Sequence, residues 1–257
     1  MREPDDGSRL TEAQRLAASA GHKGLMPVGA ATDRPFLDFI LSSLADAGCL
    51  EVCLVVAPQH DAIREHYATS RPVRVRLSFA VQERPLGTAN ALLAAEPFVA
   101  GDPFLAMNAD NLYPVDVLRT LAGLAGPALP AFERNELETS SGFPPDRVAA
   151  FALLEVDSNG WLRKVVEKPD LSRIEASGAR ALLSMNLWRF DPRVFAACQD
   201  VPMSARGEYE LPEAVQLAMT RGMEFQVIRA TGAVLDLSRR TDVAEVSRRL
   251  AATEARP

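Results

Sequence analysis

"PFLDFILSSLADAGCLEVCLVVA" (residues 35–57) decides the fold class. Phe36, Leu37, Ile40, Leu41 and Leu44 recur at helical spacing, Ala47-Gly48 ends that pattern, and residues 50–57 form an apolar run of strand length. A helix running into a strand is expected here. The alternation continues with a short helix around Asp61–Tyr67, a strand around Val75–Val81, a helix from Thr88 to about Ala95, and "PFLAMNAD" (103–110), an apolar run ending in polar residues. This order predicts an α/β fold: a doubly wound, mostly parallel sheet with helices on both faces.

The second half changes character. "RVAAFALLEVD", the turn "SNG" and "WLRKVVEKP" read as a hairpin, and residues 179–190 as one further strand. Two helices are expected, within residues 207–219 and over Val243–Leu250, separated by the strands "MEFQVIRA" and "AVLDL". Residues 134–147 are the best loop candidate. No composition shift marks a linker, so residues 1–257 are read as a single domain.

Composition narrows the function. The net charge of −6 argues against a general nucleic-acid binder, which needs Lys and Arg to neutralise phosphates. No apolar run approaches the roughly 20 residues of a membrane span, and the acids Glu3, Asp5 and Asp6 exclude a usual secretory signal, so a cytoplasmic protein is expected. Cys49, Cys53 and Cys198 have no CxxC spacing and read as buried thiols. No strand is followed by GxGxxG, which argues against a nicotinamide-dependent oxidoreductase.

In a doubly wound sheet, ligands bind outside the carboxyl ends of the strands. Asp110 and Asp236 both stand at such ends. A lone strand-end Asp is most often a turn residue, but two in one sheet point to a divalent metal.

Several segments together resemble the sugar-1-phosphate nucleotidyltransferases, nearly end to end. "KGLMPVG" (23–29) resembles that family's PKxLxPV segment, "VQERPLGTANAL" (81–92) its Q-x-x-P-x-G-T-A stretch, "MNADNLY" (107–113) its G-D-x-x-Y stretch, and "VVEKP" (165–169) its EKP motif. "SMNLWRF" and "GEYELPEAV" resemble the strand and helix that close the sugar site, and "VLDLSRRTDV" (234–243) the D-x-G-T-x-x-D segment. The resemblance implies a Rossmann-like nucleotidyltransferase fold. It also implies transfer of a nucleotidyl group from a nucleoside triphosphate to a sugar 1-phosphate, releasing pyrophosphate.

By resemblance, Asp110 and Asp236 hold Mg²⁺ between the phosphates, Lys23 contacts the triphosphate or the transferred group, and Lys168 contacts the sugar phosphate. Gln82 faces the base edge, Gly87 lets the backbone approach the nucleotide, Thr88 starts the next helix, and Glu167 touches sugar hydroxyls. The sequence departs from the family at Ala152 and Asn186, where Gly is frequent near the sugar, at His22, which replaces a Pro, and at Ser238, which replaces a Gly. Asn186 is counted among the sugar-side residues.

The family opens with an apolar strand and a glycine-rich phosphate loop, and "MREPDDGSRLTEAQRLAASAGH" (1–22) contains neither in recognisable form. Either Gly7–Leu10 is a degraded G-T-R-L, or Met1-Arg2 is the tail of the loop and residues 3–22 are an insertion. The second is favoured, with the true start lying upstream. A chain without that strand is expected to expose unpaired sheet edges, and a non-catalytic homologue lacking the phosphate loop is the alternative to an enzyme.

Overall fold

In the computed structural model, which describes residues 10–19, 23–29, 34–167, 169, 174 and 176–257, helix α1 (Glu12–Ser19) precedes a 3-10 turn at Lys23–Leu25 and a ribbon of β1 (Pro27–Val28) and β2 (Arg34–Pro35). The elements expected from the opening alternation follow: α2 (Phe36–Asp46), β3 (Glu51–Val56), α3 (Asp61–Thr69), β4 (Arg76–Val81), α4 (Thr88–Ala94), α5 (Glu96–Val99) and β5 (Phe104–Met107). Then come β6 (Asn111–Leu112), α6 (Val115–Ala122), β7 (Ala128–Glu133), α7 (Arg134–Thr139), α8 (Pro145–Val148), β8 (Ala152–Val156) and β9 (Leu162–Val166). The chain continues through β10 (Leu182–Ser184), β11 (Leu187–Phe190), α9 (Val194–Asp200), α10 (Leu211–Thr220), β12 (Gln226–Ala230), β13 (Leu235–Asp236) and α11 (Asp242–Leu250).

α2 forms where its apolar stripe predicts and buries Phe36, Leu37, Ile40 and Leu41. Gly48 stops it at φ 87°, with Gly48 N–H donating to Ala45 O at 3.0 Å and Cys49 N–H to Leu44 O at 2.9 Å. That pair of bonds is a left-handed glycine cap, which turns the chain directly into β3.

Seven strands form the main sheet in the order β5-β11-β7-β10-β8-β9, with β12 joined to β7. Its parallel pair is β12–β7, and β3–β4 forms a second, wholly parallel sheet. The expected hairpin is β8–β9, antiparallel, with Leu154 opposite Val165. Side chains alternate across the main sheet: Ala128 and Phe132 of β7 enter one core with α2, α6 and α11, whereas Leu129 and Ala131 enter a second with Trp188, Phe190, Phe225 and helices α9 and α10. This is a sheet covered on both faces.

One strand lies outside the expectations and two expectations need correction. No expectation covered β7, a strand with Pro130 inside it. Pro130 is tolerated where the neighbour on one side changes from β11, paired at Ala128, to β10, paired at Phe132 and Glu133. Residues 134–147 are not one loop but carry α7 and most of α8. The single strand expected over 179–190 is split into β10 and β11 by Asn186, which adopts φ 58°.

Candidate active site

Two short strands bring the carboxylates together. β13 pairs antiparallel with β6, Asp236 opposite Asn111, and Leu237 N–H donates to Asp110 O at 2.8 Å. Asp110, just before β6, and Asp236, at the end of β13, therefore lie on neighbouring backbones, and their charges repel. Lys23 joins them from the 3-10 turn, its Nζ 3.4 Å from Asp110 Oδ2. Side-chain exposures of 34% and 26% leave Lys23 and Asp110 open to a ligand. Ser238 Oγ donates to the same Asp110 oxygen at 3.4 Å.

Asp236 is buried, and Arg147 of α8 supplies its countercharge: Nη2 lies 2.9 Å from Asp236 Oδ1. The contact is electrostatic rather than a directed hydrogen bond, since Asp236 Oδ1 accepts none. The same guanidinium grips Asp242 in a fork, with Nη1 to Oδ1 at 2.6 Å and Nη2 to Oδ2 at 3.0 Å. Burial is the chief force on the Asp236 carboxyl, raising its pKa above the ordinary value. Asp110 and Asp242 push the same way, and Ser238 and Arg147 oppose them. A buried carboxylate next to a second carboxylate is suited to a cation.

Tyr113 anchors this turn to the other half of the site. It is fully buried, and its hydroxyl donates to the Met185 carbonyl. Burial, followed by the charges of Asp110 and Asp236, holds the Tyr113 phenol well above its usual pKa. Asn186 follows Met185, and its left-handed φ of 58° accounts for an Asn where Gly is frequent in the family that the sequence resembles, since Asn tolerates that region.

Of the "QERPLGT" stretch, Thr88 lines a cleft together with Asn108, Ala109 and Asn186. Gln82 Nε2 donates to Gly87 O and to Asn90 Oδ1, both at 3.0 Å. Gly87 has φ 101°, and a Cβ there would come within 2.5 Å of Tyr209 O. The glycine is thus required by the approach of the segment before α10. Thr88 starts α4, and its Oγ1 accepts the Leu211 N–H at 2.9 Å, tying the two helices together at their first residues.

Glu167 is exposed just after β9, and its charge reaches Arg206. Ala152 begins β8 opposite Ser184, one strand from Asn186. Lys168, His22 and residues 1–9 lie outside the described residues. The cysteines are free, with Cys198 buried and its thiol pushed up to about 12 by burial and then by Glu96, while Cys49 and Cys53 are half-buried.

Arg147, Tyr113 and Asp242 were missed as site residues. Tyr113 and Asp242 lay inside quoted segments, but Arg147 carries no local signal, because its acidic partner is 95 residues away.

Comparisons with known proteins bear on the family of the chain. Residues 13–252 match the nucleotidyl transferase family. A UTP–glucose-1-phosphate uridylyltransferase, AglF, of Haloferax volcanii is 28% identical over 231 residues, covering 89% of this chain and 87% of its own. A glucose-1-phosphate thymidylyltransferase of an Actinoplanes species is 29% identical over 89% of this chain and 69% of its own. A low-salt glycan biosynthesis nucleotidyltransferase, Agl11, of Haloferax volcanii is 27% identical over 94% of this chain, which spans 62% of that relative's length. The fold is similar to that of a UDP-glucose pyrophosphorylase crystallised with UDP-glucose, with a TM-score of 0.67 at 15% identity over 88% and 89% of the two chains. With the family match extending over nearly the whole sequence, the chain belongs to the nucleotidyl transferase family, among relatives that are sugar-1-phosphate nucleotidyltransferases.

Proposed function

We propose that this chain transfers a nucleotidyl group from a nucleoside triphosphate to a sugar 1-phosphate, with Asp110 and Asp236 holding Mg²⁺ and Lys23 facing the phosphates. One observation carries the reading: Lys23, Asp110 and Asp236, drawn from three distant segments, converge at the carboxyl end of β5. The donor set fits the ion. Mg²⁺ takes oxygen ligands, often only one or two carboxylates with water and phosphate completing its shell. Asp236 Oδ1 is a buried oxygen without a directed hydrogen bond.

The bond that forms joins a sugar-phosphate oxygen to the α-phosphorus, and the bond that breaks is the one between that phosphorus and the oxygen leading to the β-phosphate. The electron pair leaves with pyrophosphate. A phosphate monoester with a second pKa of about 6 is already anionic at neutral pH, so no base is needed. When bound, the metal ion supplies charge neutralisation between the phosphates. Lys23, whose Nζ lies 3.4 Å from Asp110 Oδ2, would add a second cation at the phosphates. Arg147 supplies a countercharge that favours the ionised form of Asp236. Tyr113 and Thr88 fix the turn and helix that frame the ligand. Asn186, Glu167 and Lys168 are proposed on the sugar side, and Gln82 with Gly87 on the nucleotide side.

No helix among the described residues is long and apolar enough to cross a membrane. A cytoplasmic location belongs to the same proposal.

The test is pyrophosphate release from UTP, dTTP, GTP, CTP or ATP with glucose 1-phosphate, with and without Mg²⁺. Metal-dependent release with at least one pair is expected. Tight binding of triphosphate and sugar phosphate with no turnover would mark a binding homologue instead.

A further inference from the structure

Ser238 replaces a Gly of the family pattern, and its hydroxyl lies among the acids of the site. Asp236 and Ser238 are two residues apart, a spacing that turns both side chains to one side of an extended chain. Between them, Leu237 is pinned by its N–H to Asp110 O at 2.8 Å. Ser238 Oγ thereby comes to 3.4 Å from Asp110 Oδ2. It also acts as a donor on the Asp236 carboxyl, where it opposes the rise in pKa that burial imposes. One hydroxyl proton thus faces two carboxyls, and the oxygen keeps two lone pairs. A separation of 3.4 Å is long for an O–H···O bond, which ordinarily spans about 2.5–3.0 Å. It is near the spacing of neighbouring ligands on a small divalent ion, because oxygens at about 2.0–2.1 Å from the metal stand about 3 Å apart along each octahedral edge. Asp236 Oδ1, buried and beside Arg147, accepts no directed hydrogen bond. Among the described residues no three His, Cys, Asp or Glu side chains are placed to share an ion. A third protein ligand beside the two aspartates is therefore an oxygen of another kind.

We propose that Ser238 Oγ is a third protein ligand of the divalent cation held by Asp110 and Asp236, offering the ion a lone pair. The inference rests on the metal role proposed above for the two aspartates and adds a residue to it. In the nucleotide-free chain the hydroxyl proton occupies the space between the carboxyls. When the ion enters, the hydroxyl oxygen remains beside Asp110 Oδ2 and becomes its neighbour in the shell, and the remaining places go to water and phosphate. Three protein oxygens hold the ion before the triphosphate arrives, whereas a Gly at position 238 has no side-chain oxygen to give.

Mn²⁺, which takes the oxygen ligands that suit Mg²⁺, is the probe, and the electron paramagnetic resonance signal of the free ion reports its binding to the nucleotide-free chain. Ser238→Ala is expected to weaken Mn²⁺ binding about tenfold or more. Ser238→Cys is expected to lose Mn²⁺ affinity and gain Cd²⁺ affinity by a similar factor, because a thiolate selects the softer metal. A sulfur-to-Cd²⁺ ultraviolet band should accompany that gain. Cys49, Cys53 and Cys198 are free thiols in parent and variant alike, so the band is read as the difference between the two. A hydroxyl that merely tied Asp110 to its neighbour would produce neither the exchange of metals nor the band. Unchanged Mn²⁺ binding in Ser238→Ala overturns the proposal, and so does a folded Ser238→Cys without the Cd²⁺ gain. Thermal melts screen both variants, and Ser238→Gly replaces an Ala variant that does not fold. Asp110→Asn separates this inference from the reading beneath it: Mn²⁺ binding lost there but kept in Ser238→Ala removes Ser238 and leaves the aspartates as ligands. A parent that binds no Mn²⁺ without nucleotide also overturns the Ser238 role, and the Mg²⁺ dependence of pyrophosphate release then decides whether the aspartate role falls with it.

Discussion

Replacing Arg147 with Met tests whether the acidic site depends on a buried countercharge. The guanidinium is 10% exposed and serves Asp236 and Asp242, which are 8% and 11% exposed. Arg147→Met keeps much of the side-chain volume but strands two buried carboxylates beside Asp110. Breaking a buried ion pair by removing one partner costs about 3–5 kcal/mol. The lower end applies, since Asp242 Oδ2 still accepts the Arg239 N–H at 2.6 Å. A loss of about 3 kcal/mol lowers Tm by about 6–12 °C in a chain of this size.

The loss should depend on pH. The Asp236 carboxyl already sits above its ordinary pKa, so the native state takes up a proton more readily than the unfolded chain. Its contribution favours folding below the unfolded carboxylate value and is lost as pH rises through the folded one. Removing Arg147 pushes that pKa further up. The deficit should therefore be largest at neutral pH and shrink on acidification. Urea denaturation of the wild type, Arg147→Met, Asp236→Asn and the double variant gives the coupling directly. The double variant should be more stable than Arg147→Met alone. A single-variant loss below about 1 kcal/mol, typical of an exposed pair, or strict additivity in the cycle, would refute the reasoning.

Asp110→Asn should abolish Mg²⁺-dependent turnover while leaving the melting curve near that of the parent, since Asp110 is partly exposed; unchanged turnover would remove Asp110 from the site. Gly87→Ala should destabilise by about 1–3 kcal/mol in urea, because its Cβ would meet Tyr209 O at 2.5 Å and φ is 101°; a neutral result would mean that the Gly87–Tyr209 approach is slack. Glu245, held by Arg248 and Arg249 at a pKa of about 2, supports folding above its unfolded value near 4.5 and loses that support as pH falls toward 2. Its side chain is 48% exposed, so Glu245→Gln should cost under about 1 kcal/mol at pH 6 and nothing near pH 2; an equal cost at both, read from paired acid melts, would assign the effect to packing.

How much of this was legible beforehand depended on the range of each signal. The helical stripe of α2 and its glycine stop are local, and so was the alternation from α3 to β5. Asp110 and Asp236 could be picked out as strand ends, and the β6–β13 pairing brought them together. β7 was hidden because Pro130 speaks against a strand wherever the partner arrangement is unknown, and only the change of neighbour from β11 to β10 makes it tolerable. Asn186 was noticed as a departure from Gly, but the break it makes between β10 and β11 comes from its backbone angle. Arg147 was invisible for another reason: a charge acquires its meaning from partners 89 and 95 residues along the chain, and nothing near position 147 announces them.

The pairing of Asp236 with Asn111 also governs which sequence changes the site can survive. Because strand side chains alternate, sliding β13 by a single residue would turn Asp236 to the opposite face and offer Leu237 or Leu235 to Asp110 instead. Whole loops between residues 113 and 234 can grow or shrink as long as that one alignment is kept. A deletion of one residue between Val234 and Asp236 should be far more damaging to the paired acids than a deletion of several in the surface turn around Asn159.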